Sequence, residues 1–162
     1  MQQPALVAQQ FGNTASAYLT SAVHAQGADL TALRDIAAGL TGSAKRPVVL
    51  DLGCGAGHHW LDVPAALREV NRVLKPGGVL VVIDITAPES PLHDTTLQAV
   101  ELLRDGSHVR DYRASEWLRM FDEAGFGGER VDGWKLDMQF DEWTARMRTP
   151  AERVTAIRSL LR

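Results

Sequence analysis

The clearest chemistry in this 162-residue chain lies within seven positions, at Asp51, Gly53, Gly55 and Gly57. The apolar run Val48-Val49-Leu50 leads into them, as a short buried strand would. Three glycines in five residues let the backbone take positive φ and approach a ligand closely. Placed at the carboxyl end of a strand, such a loop presents bare main chain and N–H groups where nucleotide-like molecules dock. A dinucleotide fingerprint asks for a further glycine or alanine three residues after the second, and that position is His58. A structural glycine turn is the plain alternative.

Other reactive side chains are poorly placed for chemistry. Cys54, His58 and His59 lie together, but zinc needs three or four ligands and no second cluster supplies the rest. No metal site is expected. Cys54 has no positioned base to make it a nucleophile, and His24, His93 and His108 are scattered. Trp60, Trp117, Trp134 and Trp143 read as core or rim aromatics. Asp137, Asp141 and Glu142 read as a solvated face.

The elements that must position the loop follow from periodicity. Ala5 to Leu40 is helical in pattern, with Leu30, Leu33, Ile36, Ala37 and Leu40 recurring at helical spacing before Gly42. The first strand is Val48–Leu52. Asp62 caps a helix through Leu74, with Pro64 in its first turn and Leu67, Val70, Val73 and Leu74 as its stripe. Lys75-Pro76-Gly77-Gly78 turns into a second strand, Val79–Ile85, apolar on both faces as a central parallel strand is. A helix over Leu92–Leu103 ends at Asp105-Gly106-Ser107. Ser115 caps another over Glu116–Ala124, closed by Gly125. Val131–Phe140 is a faint strand, and Thr149-Pro150 opens a last helix. The fold class expected is α/β, with a reduced, mainly parallel sheet and an N-terminal helical cap. The chain reads as a single domain: a cap at 1–44, a strand–loop–helix–strand unit at 45–86, and a helical and strand region at 87–162.

Composition narrows the classes of function. A net charge of −3 with scattered basic residues gives no electrostatic footprint for nucleic acid. No apolar run approaches the roughly 20 residues of a membrane-spanning helix. Met1-Gln2-Gln3-Pro4 lacks the basic end and apolar stretch of a signal peptide, and one cysteine forbids an internal disulfide. A cytoplasmic protein is expected.

The acid-x-Gly-x-Gly-x-Gly pattern resembles motif I of the class I S-adenosylmethionine-dependent methyltransferases. The likeness extends through Trp60-Leu61-Asp62, Arg72-Val73-Leu74-Lys75-Pro76-Gly77-Gly78 and the run to Asp84. Gln10-Phe11-Gly12 with Ala17-Tyr18, and Phe121-x-x-Ala124-Gly125-Phe126, are similar to the branch of ubiquinone- and menaquinone-biosynthesis C-methyltransferases. The resemblance implies a Rossmann-like fold that uses S-adenosylmethionine as cofactor and a small molecule as methyl acceptor. It implies that Asp51, Gly53, Cys54, Gly55 and Gly57 hold the amino-acid end of the cofactor, with Phe11 and Tyr18 in a cap closing over it. It places His108, Arg110 and Tyr112 beside the acceptor pocket, where a surface loop is the simpler reading. No residue is assigned as a general base.

One departure from the family is large. There, several dozen residues carrying two helices and three strands separate motif I from the Leu-Lys-Pro-Gly-Gly segment; here Gly57 runs directly into His58-His59-Trp60. The acid expected for the ribose, about 20 residues past the loop, falls on Gly77. Asp84, at the end of the second strand, is a substitute, although the family places it on the substrate side. Such a chain is expected to lose catalysis before weak cofactor binding, because alignment tolerates errors of only about 1 Å. A non-catalytic remnant or binding module is the alternative, and bare strand edges predict pairing into a homodimer.

Overall fold

The computed structural model describes residues 27–41, 62–128 and 131–162. Six helices lie among them: α1 Ala28–Thr41, α2 Val63–Val73, α3 Pro91–Arg104, α4 Ala114–Glu123, α5 Phe140–Arg146 and α6 Ala151–Leu160. The 48–52 strand, the glycine loop and residues 1–26 of the cap lie outside the described residues.

Local chemistry explains where these helices begin and stop. Asp62 caps α2, its carboxylate accepting the Ala65 N–H at 2.8 Å, and Pro64 costs nothing in a first turn whose N–H groups are unpaired anyway. Pro91 opens α3 in the same way. The end of α4 is a Schellman motif. Phe126 N–H donates to Phe121 O at 3.0 Å and Gly125 N–H to Asp122 O at 2.9 Å. Gly125 takes φ +87°, which a side chain resists. The apolar contact that accompanies this motif is the edge-to-face pair Phe121–Phe126, with centroids 5.9 Å apart.

Two packings position everything else: α2 against α4, and α3 against α6. The first buries Val63, Leu67, Met120 and Ala124, with Leu80, Tyr112, Trp117, Phe121 and Phe126 packed around them. Leu67 is fully enclosed, which stabilises by about 1.5–3 kcal/mol relative to exposure. Asn71 ties the two helices as well, its amide donating to Ala124 O at 2.9 Å. In the second packing Ile157 is fully buried and Thr149 Oγ donates to Arg104 O at 3.0 Å.

Several expectations are corrected. The run Val79–Ile85 has no ladder partner among the described residues, and Val79, Ile83 and Ile85 are 49%, 45% and 49% exposed. The only pairing described is a single parallel bridge between Ala87 and Arg113, closed by Ala87 N–H to Tyr112 O at 3.0 Å. A parallel strand gains its hydrogen bonds only from neighbours, and those expected for this run lie outside the described residues. Residues 131–139 form no strand either, and the helix α5 begins where that strand was expected to end. In α2, Val73 faces solvent instead of joining the stripe. Arg113, not Ser115, stands at the start of α4; Ser115 sits inside the first turn and donates its hydroxyl to Glu89 at 2.6 Å. Pro150 occupies the cap position of α6, and Thr149 serves the α3 contact instead.

Candidate functional site

The densest set of polar contacts among the described residues lies between α3 and the segment 108–113. Three side chains of α3 recur at helical spacing on the face toward that segment: Asp94, Gln98 and Glu101. Gln98 uses its whole amide. Its Nε2 donates to Asp94 Oδ1 at 3.0 Å and to Asp111 O at 2.8 Å. Its Oε1 accepts the Asp111 N–H at 3.1 Å and faces His108 Nε2 at 3.0 Å. Because Oε1 has no hydrogen, His108 must carry a proton on Nε2. The network therefore assigns the tautomer.

Arg110 meets two carboxylates through Nη2. Its guanidinium lies 3.1 Å from Asp94 Oδ2 and 3.1 Å from Glu116 Oε2. Arg113 joins the same two acids, at 3.4 and 3.3 Å. Glu116 also accepts the Arg113 backbone N–H at 2.9 Å, the position-three half of a capping box. Burial works to raise Glu116, but hydrogen bonds from Arg113 and Arg110, and the charge of Arg110, hold it below the usual carboxylate range. Tyr112 stacks edge-on against Trp117 at 5.7 Å, within the α2–α4 cluster.

Asp111 stands apart from these satisfied groups. Its Oδ2 is buried and has no hydrogen-bond partner. Burial, then the charges of Glu101 and Asp84, push its pKa up to about 7, against the opposing pull of Arg104 and Arg110. Both of those cations are engaged elsewhere. Arg104 pairs with Glu101 at 3.2 Å, donates to Trp143 O at 3.1 Å and lies over the Trp143 ring at 4.6 Å.

Of the residues singled out from sequence, His108, Arg110 and Tyr112 are thus brought onto one short segment and held by α3 and α4. The cofactor-loop residues Asp51, Gly53, Cys54, Gly55 and Gly57, with Phe11 and Tyr18, lie outside the described residues. At the start of α2, Asp62 takes the Ala65 N–H and the Ala66 N–H donates to Asp62 O. Sequence reading missed Asp94, Gln98, Glu101 and Asp111. A signal existed in the polar i, i+4 pair Asp94 and Gln98 facing an Arg-Asp-rich run, but only the fold shows which partners meet. Two shallow clefts, of about 330 and 220 Å3, are lined by none of these candidates. No group of metal-ligating residues occurs among the described residues.

Known proteins resemble this chain over part of its length. Residues 58–130 match a methyltransferase domain family, beginning directly after Gly57. The uncharacterised protein YafE of Escherichia coli is 54% identical over 101 residues, covering 62% of this chain and 49% of that protein. The uncharacterised methyltransferase YcgJ of Bacillus subtilis is 43% identical over 98 residues, covering 60% of this chain and 39% of its own length. The crystal structure of YcgJ superimposes with a TM-score of 0.61 at 42% identity, over 65% of this chain and 45% of that one. The chain spans about half the length, or less, of the curated relatives it matches. Over residues 58–130 the chain is similar in sequence to methyltransferase domains, and over about two thirds of its length it shares the fold of YcgJ.

Proposed function

We propose that this chain is a methyltransferase-type protein that binds S-adenosylmethionine through Asp51, Gly53, Cys54, Gly55 and Gly57. Phe11 and Tyr18 close over the cofactor, and a small-molecule acceptor is met near His108, Arg110 and Tyr112. The observation that carries the reading is the order of parts: the glycine loop ends at Gly57, and the methyltransferase domain match starts at His58. When bound, the cofactor supplies an electrophilic methyl group on a sulfonium centre. The chain's own contribution is alignment and exclusion of water. Arg110 and Tyr112 act there as a frame, since one is paired with Asp94 and Glu116 and the other is packed on Trp117. His108 is held on the same segment through Nε2, which faces Gln98. A cytoplasmic location belongs to the same reading; no described helix is long and apolar enough to cross a membrane.

A second reading is favoured by one observation, the exposure of Val79, Ile83 and Ile85 in a run that is a central strand by pattern. On that reading the chain is a non-catalytic remnant in which several dozen residues after the glycine loop are missing. Titration calorimetry with S-adenosylhomocysteine, on protein shown to unfold cooperatively, separates the two. Micromolar binding abolished by Gly55→Arg supports the cofactor site. No heat and no rise in Tm from a folded chain sinks it, because a ligand selective for the native state must stabilise it.

A further inference from the structure

Asp111 is the half-buried titratable group in the α3 seam whose buried oxygen, Oδ2, has no hydrogen-bond partner. Its main chain is held on both sides, because Gln98 donates to Asp111 O at 2.8 Å and accepts from Asp111 N–H at 3.1 Å. The clamp fixes the backbone and leaves the carboxyl in place with Oδ2 buried and unpaired. A carboxylate without a donor is costly to bury, whereas the neutral acid is far less so. The groups that face it make the charged form worse. From α3 come Glu101 and Arg104, the latter already paired with Glu101; from its own segment, Arg110, already paired with Asp94 and Glu116; from the end of the 79–85 run, Asp84. Two acids crowd it, and neither cation spends a hydrogen bond on it.

We propose that Asp111 is a proton-operated latch: protonated, it lets the 108–113 segment seat against α3 and the Ala87 bridge, and deprotonated, it loosens that seam. The elements it joins are the ones that carry the candidate acceptor residues. His108 hangs on the same Gln98 amide, and the Ala87 N–H is held by the carbonyl of Tyr112, next in sequence. Proton loss at Asp111 therefore reaches the contact between the 79–87 run and the 108–113 segment without passing through a ligand. The latch does not depend on whether the chain binds cofactor.

The sign follows from linkage. An acid whose pKa is raised on folding stabilises the native state most at low pH, and that contribution is lost as pH rises through the folded value. For Asp111 the loss runs from about pH 4 to about pH 7 and levels off beyond, given the folded pKa of about 7. The experiment is a comparison of the intact chain with Asp111→Asn, which keeps the shape of the neutral acid. Thermal unfolding is followed from pH 5 to 8, with hydrogen exchange of the Ala87 and Asp111 amides under the same conditions. The expected result is a Tm difference between the two that opens by roughly 5 °C across this range, in favour of Asp111→Asn at pH 8. Protection of both amides, corrected for intrinsic exchange, falls about tenfold or more in the parent only. Parallel Tm curves, or equal loss of protection in both proteins, overturn the proposal. Should Asp111→Asn fail to fold, carbon-detected NMR titration of the Asp111 carboxyl in the unaltered chain decides. A midpoint near 7 supports the latch and one below about 5 refutes it.

Discussion

Arg110 shows how a residue chosen for chemistry can serve architecture. A lone arginine after a glycine turn has the charge to hold a ligand, yet here Asp94 from α3 and Glu116 from α4 take it from both sides. Sequence could not foresee this, because the three residues stand 16 and 6 positions apart and meet only once two helices have packed. Arg110→Ala is expected to cost roughly 1–3 kcal/mol at pH 7, read as a fall in urea midpoint. Glu116 sets the pH signature. Its pKa is lowered on folding, so its contribution is present above the unfolded value near 4.3 and disappears as pH falls through the folded one. The penalty of Arg110→Ala should therefore shrink below about pH 4. An unchanged midpoint at pH 7 would show that the clip contributes nothing. Asp111, in the same seam, has the opposite sign, which makes the two groups separable in one titration.

At the scale of elements, the ends of helices were far easier to read than the strands. Asp62, Pro91 and Gly125 each act on a neighbour three or four residues away, so their signals are complete in the sequence. The strand at 79–85 was read from a pattern that says what a run resembles and not what it pairs with. The 131–140 run failed for the same reason, and its last residue instead begins α5, where Phe140 stacks on Trp143 at 6.1 Å. The Schellman stop of α4 offers a direct test. Gly125→Ala meets φ +87° and would bring a Cβ to 3.0 Å from the Asn71 amide. It should destabilise by at least about 1 kcal/mol. Gly127→Ala, with open space and no such φ, should be near neutral. Equal unfolding midpoints for the two variants would mean the stop is unimportant.

For the whole molecule, the described residues bury few large side chains and expose many. Val79, Ile83 and Ile85 lie on one run, and Val131, Trp134 and Leu136 on another at 60%, 44% and 42% exposure. Apolar surface gathered in this way favours association. The chain is expected to sediment as a dimer or larger species at micromolar concentration, and Ile83→Lys to shift it toward monomer. A monomeric parent chain would remove the case for pairing through this run. The likeness to methyltransferases was legible from residues 51 to 84, because a glycine loop and a Leu-Lys-Pro-Gly-Gly turn are local chemistry. Whether that likeness carries activity was not legible, since catalysis depends on distances across a sheet.

The single rung between Ala87 and Arg113 carries more than its one hydrogen bond. Strands that run side by side in the same direction cannot be joined by a tight hairpin; the chain has to travel back first. The 14 residues of α3 are that return journey. One rung is therefore enough to record polarity, and any strand that pairs beside Ala87 does so against an orientation already written by a helix.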